Sequence, residues 1–505
     1  MKKILGRLLV IIPALALQIL WFCLIFLILS NFTELLMLIL SILAVVFSLY
    51  IITKRDEGTY KLLWLIVIMG LPILGALLYL FVGNKGSGRK LKEKMYPVKA
   101  ELKGVLPTNT EIFNELEEKD KRAAQTLNHI SETTGFPIYA CDNVKYYPLG
   151  EDMFADMCIE LEKAEKFVFI EYFIIQAGKF WDTMVDILAK KAANGVDVRV
   201  MYDDLGCIAT YSKSDVKELE KKGIKCIPFN PFFSIKTQLN NRDHRKLMVI
   251  DGRVAFSGGV NIADEYINET HPFGKWKDIG FRIEGEAIKS YTYMFIEFWN
   301  SFENTAPINK ELICEYSYRA PEKYNGYILP YYDDPIEGEP TSNILFTEVL
   351  STATDYVYFY TPYLMLGDTL YDAFIRAAQR GVDVRLILPG IPDKKMVYRM
   401  SRSYYRPLLE AGARIYEYTP GFVHAKAFAA DDKICGIGTV NLDYRSLFLH
   451  YECFSVFYDS AVLADLKTDM ENSFAVSRMV DIGDTKRGIW GSFLDGILRI
   501  LAPLM

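Results

Sequence analysis

The sequence predicts an α/β fold made of two similar halves, preceded by hydrophobic segments. Strand and helix patterns alternate in the same order in two parts of the chain, which is typical of layered α/β domains with a largely parallel core. The short pattern H-x-K-x4-D occurs once in each part. The first 82 residues carry most of the apolar excess of a chain that is 51% hydrophobic, so a separate amino-terminal region is expected.

Three apolar runs make up this amino-terminal region, at about residues 8–29, 35–52 and 62–82. Each has about 18–22 residues, enough for a helix to cross about 30 Å of hydrocarbon. A signal peptide would be a single run followed by polar sequence, whereas here two further runs follow the first. Residues 1–83 are therefore predicted to be a transmembrane region.

The side of the membrane follows from the cysteines rather than from the basic residues. Lysine and arginine are almost equally frequent on the two sides of the predicted spans, so the positive-inside rule does not decide. Seven of the eight cysteines lie outside the predicted spans, an odd number without a C-x-x-C pair, which favours free thiols in a reducing compartment. We expect a multi-pass protein of the cell membrane whose part after the apolar runs lies on the cytoplasmic face.

Residues 84–135 are predicted to be a basic linker followed by a helical segment. Near a bilayer its lysines would be attracted to anionic headgroups, although a solvated linker fits the sequence equally well. The whole chain has a formal net charge of −6, whereas nucleic-acid binders that ignore sequence are more often basic. We therefore expect a lipid surface, and no nucleic acid, as partner; the oligomeric state is left open.

The two halves are predicted at residues 136–325 and 326–485, with an amphipathic tail at 486–505. In the first half the pattern gives a strand at 167–175, a helix at 181–193 and a strand at 196–202. In the second half it gives a strand at 356–360, a helix at 370–380 and a strand at 382–388. The strings NGVDVRV and RGVDVRL close the two series, which makes duplication the simplest explanation.

The repeated motif supplies the candidate catalytic residues. Its two copies are His244, Lys246 and Asp251, and His424, Lys426 and Asp431. Each copy is followed by an Asn in the same register, Asn261 and Asn441. Histidine is scarce, at five residues in the chain, so two in identical frames indicate a function rather than core packing.

The motif suits a phosphodiester. His and Lys two positions apart point to the same face of a strand, so two such faces can meet as one site. One imidazole would attack phosphorus while the other protonates the leaving alkoxide, and the lysines would hold the phosphate oxygens. No metal and no cofactor is expected, because the lysines supply the positive charge. Asp251 and Asp431 are expected to fix the following turn and the lysine.

Two further acids are candidates for orienting the histidines. Glu452 follows His424 in the second half, and Asp278 follows His244 in the first. A carboxylate on the far ring nitrogen fixes the tautomer and aims the other nitrogen. Asn261 and Asn441 are expected to bind phosphate or to orient its neighbours.

These residues resemble the phospholipase D superfamily and its doubled HKD motif, over about residues 136–485. Within it the chain is similar to the bacterial cardiolipin synthases, through the apolar runs, the string HPFGKWKD at 271–278 and the string NLDYRS at 441–446. The resemblance implies two phospholipase D-like α/β sandwich lobes related by pseudo-twofold symmetry. It also implies that one phosphatidylglycerol gives its phosphatidyl group to another, forming cardiolipin and glycerol. His244 would then be the nucleophile and His424 the acid and base.

Two departures accompany the resemblance. The superfamily often has Gly-Ser before the Asn, whereas this chain has Gly258-Gly259 and Gly438-Thr439. The missing hydroxyl in the first half puts that residue's hydrogen bond in doubt, not the reaction class. The apolar run at 8–29 is the second departure, since two spans are the commoner arrangement in the family.

Three alternatives stay open at the level of sequence. A phospholipase D-type hydrolase would use the same residues with water as acceptor. A nuclease of the same superfamily is opposed by the net charge and by the apolar runs. An inactive membrane scaffold is opposed by two intact motifs, because drift would not preserve His, Lys and Asp in both.

Overall fold

The computed structural model describes residues 16–17, 20–21, 33–54, 56–83, 88–141, 143–231, 240–303, 306–315, 324 and 326–504. Apart from residues 16–17 and 20–21, the predicted span at 8–29 lies outside the described residues.

The other two apolar runs are helical, and the last of them is interrupted. The helices are α1 (Thr33–Ile52), α2 (Gly58–Gly70) and α3 (Pro72–Leu78), with a π-helical turn at Tyr79–Gly83. The prediction of one helix over 62–82 is wrong, because Pro72 cannot continue α2 and Leu71 leaves the helical region at φ −137° and ψ 74°. The α3 helix then folds back on α2: a Cβ on Gly75 would lie 2.5 Å from the Val67 carbonyl oxygen. Among the described helices, none is both long and apolar enough to cross a membrane.

The predicted basic linker consists mainly of three helices packed on the body of the protein. They are α4 (Arg89–Leu102), α5 (Thr110–Lys119) and α6 (Lys121–Thr134). Leu91 and Met95 of α4 are buried in the main core, and Lys99 forms an ion pair with Asp334. The basic stretch is therefore held against the protein along α4.

The first half contains the next strands and helices in chain order. They are β1 (Tyr139–Ala140), β2 (Asn143–Tyr147), α7 (Gly150–Leu161), β3 (Phe167–Tyr172), α8 (Lys179–Ala193), β4 (Asp197–Asp203), α9 (Lys213–Lys221), β5 (Lys225–Phe229), β6 (Lys246–Ile250), β7 (Val254–Gly258), β8 (Lys275–Lys277), β9 (Gly280–Glu284), α10 (Ile288–Phe302) and α11 (Leu312–Glu315). Its sheet has the order β2-β9-β7-β6-β3-β4-β5.

The second half repeats this series. Its elements are β10 (Tyr327–Asp333), α12 (Thr341–Thr352), β11 (Tyr356–Tyr360), α13 (Asp368–Gln379), β12 (Asp383–Pro389), α14 (Lys395–Ser403), α15 (Tyr405–Glu410), β13 (Arg414–Tyr418), β14 (Gly421–Val423), β15 (Ala427–Ala430), β16 (Ile434–Gly438), α16 (Tyr444–Phe448), β17 (Glu452–Tyr458), α17 (Ala461–Ala475), β18 (Arg478–Met479) and α18 (Ile489–Leu501). Its sheet has the order β1-β10-β17-β16-β15-β11-β12-β13-β18.

The strand–helix–strand units are confirmed in both halves, but the sheets are mixed rather than largely parallel. Only β3-β4-β5 and β11-β12-β13 run parallel among the described strands of the two sheets. The motif strands β6 and β15 enter antiparallel beside β3 and β11, and each turns back through a tight connection into β7 or β16. Short connections of this kind force antiparallel pairing.

The two halves share one interior. The strand β1, which precedes the first sheet, pairs with β10 of the second, so the first sheet begins only at Asn143. Phe281 of β9 packs edge-on against Phe457 of β17, and Tyr291 of α10 hydrogen-bonds Ser455 at 2.6 Å. A two-stranded parallel ribbon, β8 with β14, also joins the halves. Continuous burial across this junction holds the two motifs in a fixed relation.

Candidate active site

Each motif histidine lies on a segment that pairs with the opposite half. The His244 N–H donates to the Tyr451 carbonyl at 2.9 Å, directly before Glu452. The His424 N–H donates to the Lys277 carbonyl at 2.7 Å, directly before Asp278. The backbone thus places each histidine beside an acid from the other half.

The side chains complete this crosswise arrangement. His244 Nδ1 lies 2.8 Å and 3.0 Å from the two carboxylate oxygens of Glu452, and His424 Nδ1 lies 2.6 Å from Asp278 Oδ2. Both acids were predicted as orienting residues, but Glu452 was associated with His424, the histidine of its own half, and that association is wrong. A carboxylate accepts Nδ1–H, so Nε2 of each ring is the nitrogen left for chemistry.

The lysines lie beside their histidines. Lys246 Nζ donates to the His244 carbonyl at 2.7 Å, and Lys426 Nζ lies 2.8 Å from His424 Nδ1 and donates to the His424 carbonyl. Burial lowers the pKa of Lys246 to about 8 and that of Lys426 to about 7, against the nearby acids that raise it. An anion bound between the lysines would raise the pKa of both and so favour their positively charged forms.

Electrostatics also place the two motifs in one site. Burial, followed by the charges of Lys246, Lys426, His450 and His424, lowers the pKa of His244 well below its ordinary value. Burial and Lys426 lower the pKa of His424 to about 4, although Asp278 opposes this. Both imidazoles are therefore neutral in the free enzyme, so the Nε2 atom of each has a lone pair available.

The two orienting acids are supported differently. Thr439 Oγ1 donates to Glu452 Oε2 at 2.6 Å, whereas the equivalent Gly259 leaves room for Asp278, whose Oδ1 would lie 2.1 Å from a Cβ there. Burial raises the pKa of Glu452 well above its ordinary value. Burial also opposes ionisation of Asp278, but His424 and Lys426 outweigh it and lower that pKa. The first half therefore has no hydroxyl equivalent to that of Thr439, and Asp278 instead lies directly against Gly259.

The motif asparagines lie in the interior, with different partners. Asn261 accepts from the Ile174 N–H at 3.2 Å and donates to the Tyr266 hydroxyl at 2.8 Å, and the Tyr266 ring lies edge-on to His424 at 5.1 Å. The Asn441 Oδ1 is buried and lacks a hydrogen-bond partner within the described part of the protein. Asn261 is therefore linked to the site by its hydrogen bond to Tyr266, whereas the side-chain oxygen of Asn441 can accept a hydrogen bond.

The motif aspartates lie at the far ends of the motif strands. Asp251 accepts from the N–H groups of Glu165, Lys166 and Phe167 at 2.8–2.9 Å. Asp431 accepts from the N–H groups of 354, 355 and 356 in the same way. A five-residue strand separates Asp251 from the histidine end by about 16 Å. They were grouped with the catalytic residues, but the structure does not bring them to the site; they fix the start of β3 and β11, not the lysines.

Sequence reasoning missed the aromatic walls. Phe173 packs edge-on to His244 at 4.8 Å, while Trp276 lies 5.6 Å from His424. Phe173 directly follows β3, and Trp276 lies two residues before Asp278, so proximity to predicted residues was the signal that could have found them. These rings limit water around the imidazoles.

Two neutral imidazoles, two acids and two lysines, contributed by both α/β halves, form an arrangement that suits the transfer of a phosphodiester group, as in the phospholipase D class. No group of three or more metal-binding side chains occurs within the described ranges. The family model described as "Cardiolipin synthase, PLD-like domain" matches residues 157–294 and 346–474, and one described as "Phospholipase D-nuclease N-terminal" matches residues 40–84. The chain belongs to the family of PLD-like cardiolipin synthases.

Relatives cover nearly the whole chain. An uncharacterized protein of Streptococcus mutans is 39% identical, over 90% of this chain and 99% of its own length. The cardiolipin synthase of Oceanobacillus iheyensis is 31% identical, over 94% and 99%, and that of Listeria innocua is 30% identical, over 93% and 99%. The phosphatidylserine synthase of Haemophilus influenzae shares the fold, with a TM-score of 0.57 at 14% identity over 75% of this chain and 98% of its own.

Proposed function

We propose that this enzyme is a cardiolipin synthase that moves a phosphatidyl group from one phosphatidylglycerol to another, releasing glycerol. The observation that carries the proposal is the crosswise pairing of His244 with Glu452 and of His424 with Asp278 in a chain of the cardiolipin synthase family. Each half of the chain alone would contain a histidine without its acid. The reaction therefore needs both halves at once.

In the first step, His244 Nε2 attacks phosphorus and a P–N bond forms. The P–O bond to glycerol breaks, and His424 gives its Nε2 proton to the departing alkoxide. His424 is neutral in the free enzyme, but the bound phosphodiester adds a negative charge that raises the pKa of His424, so that it can serve as the protonated acid. The assignment of attack to His244 rests on the resemblance to the superfamily.

In the second step, His424 takes the proton from a glycerol hydroxyl of the second phosphatidylglycerol. That oxygen attacks phosphorus, the P–N bond breaks and cardiolipin leaves, with His244 restored. Lys246 and Lys426 hold the non-bridging oxygens in both steps, where the charge develops. The acceptor atom Oδ1 of Asn441 suits a donor on the substrate, namely a glycerol hydroxyl.

Membrane attachment favours transfer to lipid over transfer to water. Tyr60 of α2 stacks on Tyr444 at 5.5 Å with an interplanar angle of 7°. Tyr444 begins α16, the short helix between Asn441 and Glu452. The apolar amino-terminal region is thus packed directly on the segment that builds the site, so a second lipid can reach the phospho-histidine from the bilayer.

The multi-pass arrangement remains part of the proposal. The sequences at 8–29, 35–52 and 62–82 have the composition of membrane segments, and we propose that α1 and the α2–α3 hairpin are embedded in the cell membrane. The seven cysteines that the structure describes are all free, which supports a cytoplasmic catalytic part. Reporter fusions after Val82 test the side: reporter activity only outside the cell would refute it.

The test of function uses the purified full chain in phosphatidylglycerol vesicles, with lipid products followed by chromatography. We expect cardiolipin and free glycerol in equal amounts. Phosphatidic acid without cardiolipin would refute the synthase and leave the hydrolase. His244→Ala and His424→Ala should each abolish turnover, with Ile159→Ala, an exposed change on α7, as the matched control.

A further inference from the structure

The last helix, α18, presents an apolar stripe to solvent. Ile489 and Trp490 are 87% and 84% exposed, and Phe493, Leu494 and Ile497 follow on the same side at helical spacing. Leaving several large apolar side chains in water is unfavourable, and contiguous exposed groups of this kind mark interaction surfaces.

The opposite face fixes α18 in one orientation. Leu498 is buried, and Asp495 accepts a hydrogen bond from Arg399 Nε at 3.0 Å. Arg499 donates to the Ser403 carbonyl at 2.6 Å and to the Tyr371 hydroxyl at 3.2 Å. The exposed stripe is therefore the outer side of a docked helix, not an end that can turn inward to bury it.

Exposed apolar side chains also lie on the helices against which α18 packs. The α18 helix packs against α14 and α2. On α2, Leu62, Ile66 and Met69 are exposed, and Met396 is exposed on α14. We call Ile489, Trp490, Phe493, Leu494 and Ile497, with these three residues of α2, the terminal-helix surface.

We propose that the terminal-helix surface rests in the headgroup–acyl boundary of a bilayer that contains anionic phospholipid. The inference rests on the proposed function, which makes such a lipid the substrate. Trp490 is the residue type that prefers this boundary, and the basic residues Lys486 and Arg487 stand just before the helix in the sequence. The one acid of α18, Asp495, is neutralised by Arg399 and Arg487 at 3.0 Å and 3.7 Å, so it does not repel anionic headgroups.

A bilayer fits this surface better than a second protein chain. The surface includes residues of α2, and α1, which packs against α2, exposes apolar side chains along its length. The α2 helix also carries Tyr60, which stacks on Tyr444 next to the active site. Binding of the terminal-helix surface to the bilayer would therefore fix the distance between the active site and the lipid. The terminal-helix surface would thereby control access of vesicle lipid without touching the chemistry.

The test compares two forms of one substrate in the full-length chain. The variant Ile489→Asn/Trp490→Gln/Phe493→Gln should raise the apparent KM for phosphatidylglycerol in vesicles by about 10-fold or more. The rate on dispersed short-chain phosphatidylglycerol should stay unchanged, because monomers need no surface. Ile159→Asn, the same kind of change at an exposed residue of α7, serves as the matched control. Equal effects on both substrates, or on neither, would overturn the proposal.

A second measurement is independent of catalysis. Brominated lipids should quench the fluorescence of the full chain more than that of Trp490→Phe, since only a seated surface brings this tryptophan near the acyl chains. Equal quenching of the two proteins would overturn the inference even if cardiolipin is made. A smaller particle size for the triple variant in detergent, with unchanged vesicle kinetics, would show a protein interface instead. Clear quenching without cardiolipin from either substrate would refute only the proposed function.

Discussion

Restoring the hydroxyl that the first half lacks should impair the enzyme rather than improve it. In Gly259→Ser, the new Cβ would lie 2.1 Å from Asp278 Oδ1, whereas ordinary contact begins at 3.4 Å. The same carboxylate accepts from His424 Nδ1 at 2.6 Å. It would have to move by about 1 Å, which is enough to break that hydrogen bond.

The expected loss follows from the bond that is broken. A hydrogen bond to a charged group contributes about 1.5–3 kcal/mol, which corresponds to about a 10- to 150-fold fall in kcat if the bond is needed in the transition state. Steady-state conversion of phosphatidylglycerol to cardiolipin gives kcat, and circular dichroism checks folding. Gly259→Ala should behave like Gly259→Ser, because the Cβ and not the hydroxyl causes the clash.

The control for the glycine change is Gly488→Ala. A Cβ there meets nothing within 4 Å, so kcat should stay at the wild-type value. A folded Gly259→Ser variant with unchanged kcat would refute the view that Asp278 holds His424 from this position.

Three further outcomes are expected. Asp251→Asn weakens an acceptor of three backbone N–H groups, so the free energy of unfolding, measured in urea, should fall by about 2–4 kcal/mol. The molecules that remain folded should keep the wild-type kcat, and a lower kcat per folded molecule would contradict the structural role. Because burial lowers the pKa of Lys426 to about 7 and that of the acid His424 to about 4, kcat/KM should fall above about pH 4 and more steeply above about pH 7, where the lysine also loses its charge. Lys426→Arg should remove the steeper part of this fall, and identical pH–rate profiles of the two proteins would contradict the prediction. EDTA should leave the rate unchanged, since the lysines supply the charge on phosphate, and strict dependence on added metal would argue against that role.

Local patterns explain why much of the fold was predictable from the sequence. The strands at 167–172 and 356–360 and the helices that follow them carry strong periodicity, and the structure places them as expected. The direction of β6 and β15 was not predictable in this way, because their antiparallel entry depends on how the chain returns after β5 and β13. Periodicity within a strand contains no information on its neighbour.

The candidate site shows the same division. The residue types were evident from the repeat, but the pairing of His244 with Glu452 depends on contacts between halves that are distant in sequence. Proximity along the chain favoured the wrong histidine, His424, as the partner of Glu452. The aspartates of the motif occur in both copies, as the histidines do, yet they accept hydrogen bonds from backbone N–H groups away from the site. A repeated residue is therefore a sign of some constraint, but the repeat does not show whether that constraint is catalytic or structural.

Trapping the covalent intermediate tests most directly whether the two histidines form one site with unequal roles. In His424→Ala, a phosphatidyl ester with a nitrophenol leaving group needs no acid, so one equivalent of nitrophenol should be released in a burst and the enzyme should stall as phosphatidyl-histidine. Mass spectrometry of the digested protein should then find the acid-labile phosphatidyl group on His244, and His244→Ala should give no burst. A burst from His244→Ala with the label on His424, or turnover without any histidine adduct, would contradict the mechanism.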